Sequence, residues 1–356
     1  MQKNIEVYAG VKALEIIHDE GLRPERVKIM AGAAGGPKWL VLGSLDRVIF
    51  GSFFSGRTSP LFLLGSSIGA WRFAALARTD GMRALDLLEE AYLRQSYGPR
   101  PSPGEVTAEG WRVLDRYLGG RAEMEILNHP FLRLNIMADR SRLLTSSDSK
   151  ALLLPALGLA ALCNAASRSS MGYFFERTLF FDSRDMPPFI DMDGFTLHRI
   201  PLNGENLRDA VMASGSIPLA MSGVRDIAGA PGGIYRDGGM LDYHLDISYG
   251  IAESLVLYPH FHHRIVPGWF DKTLPWRRAS EANTANVVMV CPSREFIANL
   301  PYGKIPDRKD FKLFRGRDGE RVRYWEKVVE MGRVLGEEFM EAVESGSIKE
   351  GVRALK

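Results

Sequence analysis

The sequence predicts an α/β domain, on three observations. Two short apolar-rich runs, Val27-Lys28-Ile29-Met30 and Leu61-Phe62-Leu63-Leu64, are bounded by turn-forming residues, and each leads through small residues into a helical pattern. Runs of this length suit strands, and four unbroken apolar residues suit a strand covered on both faces. The third observation is length: 356 residues are long for one compact core but within reach of one large α/β domain with insertions.

Composition narrows the class. The chain is 46% hydrophobic and 25% charged, as expected of a soluble globular protein. A formal net charge of +2 gives no pull toward nucleic acid. Cys163 and Cys291, far apart in sequence, fit free thiols in a reducing compartment. Met1 to Val7 has no apolar signal core. The most apolar stretch, Ala151 to Ala166, contains Pro155, Gly158 and Asn164 and falls short of a membrane span. A cytoplasmic protein is expected, with peripheral attachment at a membrane surface left open.

Taken in order, Val7 to Glu20 reads as an amphipathic helix capped by Gly21. Strand Val27–Met30 runs into Ala31-Gly32-Ala33-Ala34-Gly35-Gly36-Pro37-Lys38, and a helical pattern follows from Trp39 to Phe50. Such a loop leaves backbone N–H groups unpaired at a helix N-terminus. They could cradle a phosphate, serve as an oxyanion hole, or simply pack. The phosphate-loop patterns are not met, because Trp39 follows Lys38. Pro37 has no N–H, so the donors must be Gly35, Gly36 or neighbours.

Strand Leu61–Leu64 enters Gly65-Ser66-Ser67-Ile68-Gly69, and from Ile68 the apolar period lengthens to that of a helix. G-x-S-x-G between strand and helix is the pattern of a nucleophile elbow, with Ser67 on a sharp turn and glycines where two backbones pass closely. Ala84 to Gln95 is a further helix, and Pro99 to Gly110 reads as a loop. Val113–Leu118 and Ala122–Leu127 look helical, and Leu132–Met137 reads as a strand. Leu152 to Ser167, apolar nearly all round, is expected to be a core or cap helix rather than a lipid-touching one. Tyr173–Phe181 and Phe195–Ile200 read as a pair of strands. Helix Asn203–Ala213 ends in Ala213-Ser214-Gly215-Ser216-Ile217-Pro218. Asp237-Gly238-Gly239 is either a hairpin turn or an acid at a strand end whose glycines allow close approach.

The four segments Gly35-Gly36-Pro37-Lys38, Gly65–Gly69, Ala213–Pro218 and Asp237–Gly239 together resemble the patatin-like phospholipase family. That family has a G-G-x-[RK] loop, a G-x-S-x-G elbow, an A-S-x-x-x-P helix end and a D-G-[GA] acid, in this order. The resemblance covers about Val27 to Asp246. This chain departs from the pattern at Trp39, where a glycine is usual, and at Ala33-Ala34, where Asp-Gly is usual. The resemblance implies a three-layer fold with a central, mainly parallel sheet flanked by helices. It also implies lipid acyl-ester hydrolysis by a Ser–Asp dyad that needs no histidine; no metal site and no cofactor are singled out. Carried over, Ser67 is the nucleophile, Asp237 the base, and Gly35, Gly36 and Lys38 the oxyanion loop. Gly65, Gly69, Gly238 and Gly239 support the motifs. Residues 1–305 would form the catalytic domain, and 306–356 a C-terminal helical segment packed on it.

Two rival readings follow. A Ser-His-Asp hydrolase shares the elbow but requires a late histidine, for which His244, His260, His262 and His263 are candidates. His260 and His262 would share one face of a strand, yet no companion ligand stands at metal-binding spacing. A catalytically silent lipid-binding or scaffold protein is the other rival. The tail from Arg308 reads as one or two amphipathic helices packed on the domain. Trp269, Phe270 and Trp276 lie in a basic, turn-rich segment where packing is the default.

Overall fold

The computed structural model describes residues 3–355. Eleven strands form one sheet: β1 (Ile5–Ala9), β2 (Val27–Gly32), β3 (Leu61–Ser66), β4 (Leu132–Ser141), β5 (Phe175–Phe181), β6 (Leu197–Pro201), β7 (Val224–Arg225), β8 (Ile234–Asp237), β9 (Leu255–Pro259), β10 (Val287–Pro292) and β11 (Arg353–Ala354). Their order is β11-β1-β10-β9-β2-β3-β4-β5-β6, with β8 on β4 and β7 on β8. From β10 to β4 every neighbouring pair is parallel. These strands are buried on both faces almost throughout because helices cover both, giving a three-layer α/β architecture.

The first eight α-helices are α1 (Val11–Glu20), α2 (Gly43–Val48), α3 (Ile68–Leu76), α4 (Gly81–Leu93), α5 (Pro103–Tyr117), α6 (Ala122–Leu127), α7 (Lys150–Ala166) and α8 (Leu207–Gly215), of which α3, α4, α5 and α8 border the site. Every residue of α3 is buried, so the elbow helix runs through the interior rather than over the surface. The C-terminal helices Asp318–Met331 and Arg333–Glu344 bury Trp325 and Phe339 in the same core as the sheet, and Phe339 meets Phe53 edge-on at 5.6 Å. β11 then pairs with β1, so the segment from 306 onward is woven into the domain.

One register feature positions the chemistry. β3 pairs with the first half of β4 and stops at Ser66 opposite Met137. β8 takes over that side of β4 from the other direction and stops at Asp237 opposite Ala138. The two strands therefore meet end to end on β4, which brings their terminal residues together.

Several expectations are corrected. Val7–Ala9 belongs to strand β1, and the first helix begins only at Val11. The expected loop Pro99–Gly110 contains the start of α5: Ser102 caps it by accepting from the Glu105 N–H at 3.2 Å, and Pro103 opens it. β5 and β6 pair in parallel, joined by a long connection. His260 and His262 lie beyond the end of β9, so they share no strand face. In α7 only one face is core; the opposite face carries Leu152, Leu154, Leu159 and Leu162 exposed.

Candidate active site

Ser67 stands between the last residue of β3 and the first of α3, with φ 55° and ψ −127°. Such a backbone costs a non-glycine residue about 1–3 kcal/mol, and the surroundings must hold it there. The Ser67 N–H donates to Ser214 Oγ at 2.8 Å, and Ser214 Oγ donates to the Met137 carbonyl at 2.6 Å. Trp71 Nε1 donates to the Val211 carbonyl at 2.8 Å, tying α3 to α8. The Ala213–Pro218 segment is thereby explained, because its serine anchors the strained turn. Gly69 is required by contact, since a Cβ there would lie 2.1 Å from the Gly32 carbonyl oxygen.

Ser67 Oγ donates to Asp237 Oδ2 at 2.7 Å. The other carboxylate oxygen, Oδ1, accepts from the Gly239 N–H at 2.8 Å. Ser67 is 5% and Asp237 7% exposed. A Cβ on Gly238 would come within 2.3 Å of the Met137 carbonyl oxygen, so only glycine lets β8 end this close to β4. Burial pushes the Asp237 carboxyl above its ordinary value; the bonds from Ser67 and Gly239 and the charges of Arg308 and Lys272 pull the other way. The turn beyond Asp237 is braced twice. Asp139 Oδ2 accepts from the Leu241 N–H at 2.9 Å, and Asp242 is gripped by Arg177 at 2.7 and 2.8 Å.

Gly35 and Gly36 line a small cavity of about 30 Å³ together with Ser67 and Asp237. Gly36, at φ 56°, opens a 3-10 turn that runs to Leu42, where the leading N–H groups have no intrahelical acceptor. The Ala34 N–H is already committed to the Tyr243 carbonyl at 2.9 Å. Lys38, expected beside the oxyanion, does not line this cavity. Its ammonium sits 5.0 Å from the Phe261 ring, and burial lowers its pKa. The Phe261 ring in turn presses on Gly35, where a Cβ would meet it at 2.5 Å. Lys38 thus backs the loop through Phe261 rather than facing the serine. Trp39 turns into the core, fully buried and edge-on to Tyr92 at 5.8 Å.

The basic group that does line the site is Arg308, from the C-terminal segment. No local pattern marks it; it reaches the site only because the chain returns past Gly36. Arg308 also borders a second, larger cavity of about 240 Å³ that opens from Ser67 and is walled by Ile68, Trp71, Tyr92, Tyr97, Val106 and Met221.

The histidines have other partners. His244 Nδ1 accepts from the Val266 N–H at 3.0 Å, and the His262 N–H donates to His260 Nδ1 at 3.0 Å. His263 pairs with Glu6 at 2.8 Å. Burial pushes His244 well below its usual value and His260 down to about 3, so both are neutral rings in the interior. Among the described residues no histidine hydrogen-bonds to Ser67 or Asp237. Glu6, His263 and Cys291 bring ligand atoms within 4.8 Å of one another, away from the dyad. Arg353 already neutralises Glu6 at 2.9 Å and burial raises the Cys291 thiol, a poor setting for a cation. Compared with models of known protein families and with curated proteins, the chain matches none.

Proposed function

We propose that this chain is a serine acyl hydrolase that cleaves carboxylic esters of lipid character through an acyl-enzyme on Ser67. The observation that carries the proposal is the 2.7 Å bond from Ser67 Oγ to a buried carboxylate at a strained strand–helix turn, beside an apolar cavity. A strained serine with its hydroxyl on a base whose proton affinity is raised by burial is what acyl transfer needs.

Ser67 Oγ attacks the ester carbonyl carbon while its proton passes to Asp237 Oδ2. The oxyanion forms beside the loop of Gly35 and Gly36, whose free N–H groups are the available donors. Collapse of the tetrahedral intermediate breaks the ester C–O bond, and the departing alcohol takes the proton from Asp237. Water then attacks the acyl-enzyme, giving its proton to Asp237, and Ser67 recovers a proton as the acid leaves. The cavity walled by Trp71, Tyr92, Tyr97 and Val106 suits the acyl chain, and each methylene buried there contributes about 0.8 kcal/mol. Arg308, at the junction of both cavities, suits a negative group beside the scissile ester. Free Cys163 and Cys291 accord with a reducing, cytoplasmic setting.

A fluorophosphonate probe tests the reading. Labelling of wild-type protein, lost in Ser67→Ala, is expected, together with hydrolysis across a panel of long-chain esters. Unlabelled folded protein with no ester hydrolysis would favour a silent lipid-binding protein.

A further inference from the structure

Helix α7 is anomalous for a surface helix. From Ala151 to Ser167 it carries no charged side chain. Its inner face, Leu153, Leu157 and Ala160, is buried against Met171, Phe175, Met240 and Leu241. The outer arc should then be polar. Instead it presents Leu152, Leu154, Leu159 and Leu162, exposed by 46%, 52%, 53% and 73%. Leu143 and Leu144 on one flanking turn and Tyr173 on another, both packed against α7, extend the patch. These are seven of the thirteen exposed large apolar side chains among the described residues, so the cluster is not ordinary scatter.

Two acids next to the helix are already paired. Asp148, just before the helix, is held by Arg236 at 2.6 Å, and Asp271 beneath it is fully buried and paired with Arg168 at 3.0 Å. Lys150 in the first turn is exposed and has no ion-pair partner among the described residues. The first turn carries no acid, so the positive end of the helix adds to Lys150. At the other end Arg277 donates to the Asn164 carbonyl at 2.6 Å, which sets exposed Trp276 and Arg278 beside the helix terminus. With 17 residues and Pro155 inside, α7 is too short to cross a bilayer, and with its inner face held by the protein only the outer leucines are free to enter a membrane surface.

We infer that α7 docks this protein on a membrane bearing anionic lipids, its leucines in the acyl boundary and Lys150 and Arg278 at the headgroups. This deepens the proposed function, since it rests on reading the ester as a lipid. The same helix reaches the active site from behind: Leu153 and Leu157 share a cluster with Met240, and Met240 and Trp269 line the cavity over Ser67 and Asp237. The inner face of α7 and Met240 thus lie between the docked surface and the dyad.

The test is co-sedimentation with vesicles of phosphatidylcholine and phosphatidylglycerol in equal parts, set against pure phosphatidylcholine. Wild-type and Ser67→Ala proteins should both bind the mixed vesicles. The double variant Leu159→Gln, Leu162→Gln, altered only at exposed positions, should lose at least about tenfold in partitioning while cleaving a short water-soluble ester at the wild-type rate. Lys150→Glu with Arg278→Glu should weaken binding to the mixed vesicles alone. Equal binding by wild type and the leucine variant would overturn the inference. So would a wild-type dimer in solution that the leucine variant dissolves, with neither protein binding vesicles. Vesicle binding through α7 without hydrolysis of any ester would sink the catalytic reading and leave this one standing.

Discussion

Asp237→Asn should separate chemistry from stability, moving the two in opposite directions. The substitution is nearly isosteric. Asn Oδ1 can still accept from the Gly239 N–H, now 2.8 Å from the carboxylate, while Nδ2 faces Ser67 Oγ where Oδ2 accepted. The geometry is kept, but the side chain donates where it should accept, and Ser67 has nowhere to send its proton. General-base catalysis is worth about 10²–10⁴ in rate, so the loss should equal about 3–5 kcal/mol of barrier. Stability has the other sign. Burial outweighs the hydrogen bonds and nearby cations and raises the folded pKa of Asp237 above the unfolded value. Such a carboxyl contributes stability that is complete below the unfolded pKa, near ~4, and is lost as pH rises through the folded value. At neutral pH the ionised group is therefore a cost that asparagine removes. Steady-state hydrolysis of a soluble ester and thermal melts across pH would read both effects. We expect kcat to collapse, the variant to melt at or above wild type at neutral pH, and its advantage to vanish toward pH ~4. Activity within tenfold of wild type, with Ser67→Ala inactive, would show that the base lies elsewhere. A large fall in melting temperature would show that the carboxylate is structural.

Three further outcomes follow from the geometry. Gly69→Ala drives a Cβ to 2.1 Å from a backbone oxygen and should cost at least about 3 kcal/mol in urea unfolding, whereas Gly51→Ala, with open space around it, should stay within about 0.5 kcal/mol. Val106→Trp, on the wall of the larger cavity, should leave short esters untouched and lower kcat/KM for long ones, by about fourfold for each methylene excluded. Arg308→Gln should raise KM for esters with an anionic group by about tenfold or more and change kcat for neutral esters little, a split that inhibition by fatty-acid product would check independently.

The local devices of this protein were legible in its residues because each is a local physical necessity. A short apolar run, a glycine-flanked serine and the onset of a helical period specify a strand, a tight turn and a helix whatever surrounds them, and β3, Ser67 and α3 stand where that pattern puts them. The start of α5 is read as loop from its residues, because the proline and glycine of Ser102-Pro103-Gly104-Glu105 look like a turn even though the same segment carries a helix cap. β9 and β10 were present as the apolar runs Leu255–Tyr258 and Val287–Val290, but nothing local says that such a run lies at the centre of a sheet.

What only the tertiary structure decided is everything that depends on distance across the chain. Ser67 and Asp237, 170 residues apart, meet because β3 and β8 end against adjacent residues of β4, a matter of register. Ser214 anchors the strained turn, Lys38 directs its charge at Phe261, and Arg308 supplies the positive group at the site; each follows from which backbone passes which. For α7 the residues alone indicate an apolar helix. Only the packing of one face against Met240 and Leu241 shows that the other face is left to the solvent, because burial is a property of neighbours and not of the residues themselves.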